Sequence, residues 1–193
     1  MSSHHIVREK QEPALIVSSY TDFNDEYLGQ LLEWNPVVFV FENELENLLS
    51  KEIKIDAVFT TNSSETDPFQ ESTKTIILTS NSLNEAVKYL IEDEFPSVNI
   101  IAEQNELAGL VDCIPHIDIV LLNKNSKIFP VKSKLEKWFA ANEQLTIINF
   151  NPENQYSMTG VRQIDKDVFE TENNGIVTFS TTKSPIFVVE KLA

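Results

Sequence analysis

The chain has 193 residues, 41% of them hydrophobic and 23% charged, which fits one large folded domain or two small ones and argues against wholesale disorder. Thirty Asp and Glu against fifteen Lys and Arg give a net charge of −15, which repels nucleic-acid backbones and anionic membrane surfaces. The 4 Gly are too scattered for a glycine-rich phosphate loop, and the single Cys113 excludes an intramolecular disulfide and a Cys-based zinc knuckle. No run approaches the roughly 18–20 apolar residues of a membrane span. The polar start MSSHHIVREKQEP lacks the apolar core of a signal peptide, so the expectation is a soluble, cytoplasmic protein.

Residues 1–12 read as a polar tail, with His4 and His5 solvated in it. PALIVSS (13–19) is a short apolar run and reads as a buried strand. Tyr27, Leu28, Leu31 and Leu32 then recur at helical spacing, with Asp22 or Asn24 as the cap. PVVFVF (36–41) is a second strand, Leu45, Leu48 and Leu49 mark a second helix, and IDAVFTT (55–61) is a third strand. A polar loop over 62–72 leads to KTIILTS, the fourth strand. Ser82 and Glu85 have capping-box spacing ahead of Leu83, Ala86, Val87, Leu90 and Ile91, the best helical pattern in the chain. SVNIIAE, a short helix over 106–114 and IDIVLL (117–122) complete an alternating strand–helix series, which argues for a parallel sheet covered on both faces.

Beyond Leu122 the texture changes. SKIFPV, KLEKWF, EQLTIINF, GIVTFST and PIFVVE are strand candidates with no helix between them, which reads as antiparallel sheet. The expected fold class is α/β: a doubly wound, mainly parallel unit over 13–125, then a small antiparallel, β-sandwich-like unit over 126–193. A unit of this size is near the lower limit for a self-sufficient core. Its apolar load includes Phe129, Trp138, Phe139, Ile147, Ile148, Phe150, Val177, Phe179, Ile186, Phe187 and Val188, so it is expected to lean on a partner, as a homodimer.

Few residues promise chemistry. Cys113 and His116 form a lone C-x-x-H pair, short of the three or four ligands zinc needs, and Cys113 reads as a buried, inert thiol. No metal-ligand set is expected. Open parallel sheets carry their sites at the carboxyl ends of strands, which singles out Glu42 after the second strand and Asp67 after the third. Asp56 stands near the start of the third strand, a less usual place.

The order of elements resembles thiamine pyrophosphokinase over most of the chain. The segment 42–64, ENELENLLSKEIKIDAVFTTNSS, is similar to the family pattern D-G-x-x-N-x-L-L-x-x-G-I-x-P-D-x-I-x-G-D-x-D-S, with Leu48, Leu49, Ile53, Asp56, Val58 and Ser64 in step. NSLNEAVKYL (81–90) resembles the T-D-x-x-K-A-x-x-x-L helix, Thr159-Gly160-Val161 the T-x-G-L turn, and 173–189 the closing hairpin. The resemblance implies ATP and Mg²⁺ as cofactors, thiamine as substrate and a dimer through the C-terminal strands. It also exposes departures. The D-G position reads Glu42-Asn43, the G-D-x-D-S position Thr60-Thr61-Asn62-Ser63-Ser64, and the T-D position Asn81-Ser82. The G-G-R-x-D-H region, roughly 105–110, has neither Arg nor Asp-His. An aromatic residue that packs on the vitamin ring is replaced by Gln163, and the Ser-Asn of the last hairpin falls at Glu172-Asn173. These departures imply a protein that keeps the architecture without the catalysis and binds a small molecule or a partner. The other reading is an active enzyme, with Glu42, Asp56 and Asp67 rebuilding a site for Mg-ATP and with Thr159, Gln163 and Asn173 meeting thiamine.

Overall fold

The computed structural model describes residues 12–62 and 73–192. Six parallel strands form its first half: β1 (Ala14–Val17), β2 (Val38–Phe41), β3 (Ala57–Thr60), β4 (Lys74–Ile77), β5 (Ser97–Ile101) and β6 (Asp118–Leu122). They lie in the order β4-β3-β2-β1-β5-β6, so the direction of growth reverses between β1 and β5. Alternation sends Leu15, Val17, Val38, Val40 and Val58 to one face, and Ala14, Ile16, Phe39, Phe41 and Phe59 to the other. Both faces are covered over β1, β2 and β3, which is why these runs are apolar throughout, while the edge strand β4 is exposed at Lys74, Thr75 and Ile77. Helices α1 (Asp25–Leu32) and α2 (Leu45–Leu49) bring Leu28, Leu45 and Leu48 to the first face. Helices α3 (Leu83–Glu92) and α4 (Leu107–Leu110) bring Ala86, Val87, Leu90, Leu107 and Leu110 to the second.

The helix starts follow from local hydrogen bonding. Asn24 caps α1, its side-chain oxygen accepting from the backbone N–H of Glu26 at 2.8 Å and of Tyr27 at 3.4 Å. At α3 the capping box does not form. Ser82 is the N-cap residue but its side chain makes no capping bond, and the Glu85 carboxylate reaches past it to the loop at Thr79 and Ser80. The helix expected over 106–114 is split into a 3-10 turn (Gln104–Glu106), the single turn α4, and a second 3-10 turn (Val111–Cys113).

The second half is all strand: β7 (Ser126–Val131), β8 (Lys134–Phe139), β9 (Gln144–Ile148), β10 (Tyr156–Thr159), β11 (Val161–Asp165), β12 (Val168–Thr171), β13 (Gly175–Thr181) and β14 (Ile186–Lys191). Strand β7 pairs antiparallel with β6, and the large sheet runs on as β7-β14-β9-β12-β11, eleven strands in all among the described residues. Strands β10-β13-β8 form a separate sheet of three. Phe129, Val131, Ile147 and Val188 from the large sheet and Phe139, Val177 and Phe179 from the small one pack as a single cluster. Most of the apolar load of this half is therefore buried within the chain, leaving Trp138 and Phe150 exposed, joined by Ile164 and Ile176.

Gly160 is the corner at which the chain passes from the small sheet to the large one. Its φ is +84°, and a Cβ there would sit 3.2 Å from the carbonyl oxygen of Ile176. Its own carbonyl accepts from the N–H of Glu172 at 3.1 Å, so the corner cannot slide away. A Gly160→Ala variant is expected to lose about 1–3 kcal/mol of stability, the usual cost of a side chain in a strained backbone region. Urea unfolding checks this, and an unchanged midpoint would show that the corner relaxes freely.

Candidate functional site

The parallel strands end on one edge, and the loops that leave them build a cleft. Ser18 and Ser19 follow β1, and both N–H groups donate to the carbonyl of Ile101 at the end of β5, at 2.9 and 3.2 Å. This contact lies where the strand order reverses, the place where open α/β sheets form a crevice. Two adjoining cavities open there and share Asn43 and Asn81. One, of about 290 Å³, is lined by Glu42, Thr60 and Thr61 besides these; the other, of about 210 Å³, by Ser18, Ser19, Phe41, Leu83, Glu103, Asn105 and Glu106.

Glu42 is held from β3. Its Oε2 accepts the hydroxyl of the buried Thr60, and the amide of Asn62 at 3.4 Å. Thr60 Oγ1 in turn accepts the Asn62 N–H at 3.0 Å. One carboxylate thus stands beside neutral hydroxyl and amide groups. Among the described residues no Lys, Arg or His lines either cavity.

The structure does not bring Asp56 to Glu42. Asp56 lies at the opposite edge, before β3, where its Oδ2 accepts the N–H of Val38 at 2.9 Å and its Oδ1 meets Lys54 Nζ at 2.7 Å. The length of β3, about 13 Å at 3.3 Å per residue, separates it from Thr60. Asp56 satisfies a backbone donor at the start of β2, and a metal shared between Glu42 and Asp56 has no geometry. Asp67 lies outside the described residues, as do His4 and His5. Cys113 is 1% exposed, with burial pushing its thiol pKa up and Asn84 Nδ2 at 3.5 Å, while His116 is exposed, so they form no reactive pair. Among the described residues no group of three His, Cys, Asp or Glu is placed to hold a metal.

Thr159, Gln163 and Asn173 lie elsewhere. Thr159 pairs with Thr178 at the end of β10, and the Gly160–Glu172 hydrogen bond sets it beside the turn that carries Asn173. Gln163 is exposed on the edge strand β11, opposite Phe169. Strand β11 is eight ladder steps from β2, roughly 38 Å along the sheet at 4.8 Å per step. Ser18, Ser19, Glu103 and Glu106 enter the site without having been singled out in the sequence. They follow β1 and β5, the two strands flanking the reversal, and the strand-end rule that picks out Glu42 applies equally to them.

No family model matches the chain, and no curated protein matches it in sequence. Solved structures do match in fold. Thiamine pyrophosphokinase from Bacillus subtilis superposes with a TM-score of 0.65 at 13% identity, over 95% of this chain and 100% of that one. Thiamin pyrophosphokinase from Candida albicans gives 0.67 at 10% identity, over 94% and 90%. The yeast enzyme gives 0.58 at 11%, over 97% and 88%. The chain has the thiamine pyrophosphokinase fold.

The loop after β4 presents Asn81 to the cleft, and Glu85 organises that loop. Its carboxylate accepts the N–H of Thr79 at 2.6 Å, the N–H of Ser80 at 2.9 Å and the Ser80 hydroxyl at 2.8 Å. The Thr79 bond first, then the Ser80 hydroxyl, lower its pKa from 4.5 to about 2. A depressed carboxylate contributes stability that is complete above its unfolded value and lost as pH falls through the folded one. The melting temperature of the wild type is therefore expected to fall between pH 4.5 and about 2 more steeply than that of Glu85→Gln. Parallel melting curves across that window would remove Glu85 from this role.

Proposed function

We propose that this chain is a thiamine pyrophosphokinase-like protein that has kept the architecture without the catalytic apparatus, and that it works by binding or interaction. The reading takes residues 13–125 as a doubly wound unit and 126–193 as a small sandwich-like unit, in a cytoplasmic protein. No helix among the described residues is long and apolar enough to cross a membrane. The observation that carries the proposal is the charge of the carboxyl-edge cleft. Pyrophosphoryl transfer asks a protein chiefly for positioning and charge stabilisation. Mg²⁺ seeks carboxylate oxygens in octahedral array, and here Glu42 stands with Thr60, Thr61 and Asn62. The phosphates seek Arg or Lys, and neither lines the cleft among the described residues. The described residues do not fit Mg-ATP. Loss of one transition-state contact typically costs about 2.7–4 kcal/mol, and several that act together leave little rate.

Incubation of the purified protein with ATP, Mg²⁺ and thiamine is expected to yield no thiamine diphosphate above a protein-free blank. Product that disappears in Glu42→Ala would establish the enzyme instead. Calorimetry with Mg-ATP should likewise give no Kd below about 10 μM.

The same reading includes a homodimer through the C-terminal strands. Trp138 and Ile176 are cross-strand neighbours on the outer face of the small sheet, 61% and 63% exposed. A paired aromatic and β-branched side chain in water is an apolar surface that a second copy would cover. Light scattering is expected to report twice the 22.0 kDa chain mass, with Trp138→Ser shifting the protein toward monomer. A mass of one chain, unchanged on concentration, would eliminate the dimer.

A further inference from the structure

A separate cavity, of about 310 Å³, lies on the α1 face of the large sheet, away from the Glu42 cleft. On this face α1 and α2 cover β1, β2 and β3, and the small sheet covers β7, β9 and β14. Strands β5 and β6 run in the seam between the two layers. Val120 of β6 packs against both apolar clusters and is still only half-buried, and so is its ladder partner on β5, Asn99. Both line the cavity. Its wall is apolar and ring-rich: Tyr27 and Leu31 of α1, Trp34 just beyond it, and Pro13 and Pro36 ahead of β1 and β2. Trp34 is 69% exposed. The polar groups are chiefly donors, namely the Tyr27 hydroxyl, the Trp34 indole N–H, the Asn99 amide and the Lys127 ammonium. None of these has a side-chain partner among the described residues. Lys127 lacks a counter-ion because its cross-strand neighbour, Glu190, is ion-paired with Lys137. Glu12 also lines the cavity, but it is exposed and makes no ion pair with Lys127.

We infer that this cavity binds a small aromatic acid, a flat ring that carries a carboxylate. An ionised carboxylate only accepts hydrogen bonds, which matches a wall of donors, and Lys127 supplies the opposite charge for a short, charge-assisted bond. Asn99 explains itself in the same way. Covered parallel strands are apolar, and an amide set among Val98, Ile100 and Ile101 gains only if a ligand or water meets it. Trp34 and Tyr27 present apolar rings with polar tips, the kind of surface that takes a second ring edge-on or offset. The volume stands at the lower end of ligand cavities, which suits one ring and a short acidic arm. The site lies apart from the carboxyl-edge cleft, so the inference holds whether or not that cleft turns over thiamine.

The test is a titration of the full chain, ¹⁵N-labelled, with phenylacetate, phenylacetamide and phenethylamine, one ring bearing a negative, a neutral and a positive arm. The chain has 2 Trp, so Trp138 on the small sheet serves as the internal control for Trp34. Phenylacetate is expected to give saturable shifts of the Trp34 indole N–H and the Asn99 side-chain amide while leaving Trp138 in place. The amide and the amine should bind at least tenfold more weakly. Lys127→Met should weaken phenylacetate by about tenfold, the effect of losing one hydrogen bond to a charged group. Lys166→Met, in the turn between β11 and β12, should leave the affinity unchanged, and Glu12→Gln should not weaken it. No saturable shift, equal movement of Trp138, binding of the amide or amine as tight as that of the acid, or an unaltered affinity in Lys127→Met would each overturn the inference. So would weaker binding in Glu12→Gln, which would assign the cavity to a ligand that carries an ammonium group.

Discussion

The ladder between β6 and β7 is the constraint on which the rest of the molecule turns. Leu121 pairs with Ile128 and Leu122 with Lys127, and through them a parallel sheet becomes antiparallel without a break in hydrogen bonding. Asn123 makes the reversal. Its side-chain oxygen accepts the N–H of Asn125 at 3.1 Å, the N–H of Ser126 at 2.9 Å and the Ser126 hydroxyl at 2.8 Å. Once β7 is laid down, β14 pairs with it on one side and with β9 on the other, and Leu192 closes on Asn125 at 2.9 Å. The small sheet is tied to this arm by Lys137. It forms an ion pair with Glu190 while lying 4.7 Å from the ring centre of Phe129 and 4.9 Å from that of Phe139. Continuous pairing fixes distance as well as connection. The Glu42 cleft and Gln163 sit toward opposite ends of the large sheet, too far apart for both to meet one small ligand within a protomer.

An acidic chain must also place its carboxylates at little cost, and many of them here serve the backbone. Asp56 takes the N–H of Val38, Glu85 those of Thr79 and Ser80, and Glu143 that of Ala140 at 2.8 Å. Each satisfies a donor that strand or helix geometry leaves open. The buried Glu44 is met by the side-chain amides of Asn43 at 3.2 Å and Asn47 at 2.9 Å.

The sequence disclosed the parallel half because its strands are continuous apolar runs and its helices carry apolar stripes. Val38 to Phe41 and Ala57 to Thr60 are buried at every position. It disclosed far less of 156–171. Strand β11 is exposed at Arg162, Gln163, Ile164 and Asp165, and β10 alternates weakly, so neither has a period that outweighs turn signals. The capping box at α3 failed for a different reason. The spacing of Ser82 and Glu85 was right, but the N–H groups of Thr79 and Ser80 compete for the same carboxylate. Asp56 matched a motif by position along the chain, and only strand direction places it on the edge away from Glu42. That direction was already legible: once a parallel sheet is expected, the start of the third strand and the end of the second fall on opposite edges.

That same direction separates the fold from its chemistry. The apolar ladder of β2 ends at Phe41, 2% exposed, and the next residue, Glu42, is in the cleft. In β3, Phe59 is fully buried and Thr60 and Thr61 already line the site. At the end of β5, Ile101 and the following Ala102 close the core, and Glu103 comes next. Stability resides in the side chains before each boundary, where large-to-small changes cost about 2–5 kcal/mol. Substitutions after it touch solvent and loop, where costs fall within about 0.5 kcal/mol. A lineage can therefore exchange the charge of the cleft almost independently of the core. At 13% identity the Bacillus subtilis structure and this chain share the fold. The charge of this chain's cleft is set by residues that the ladder does not need.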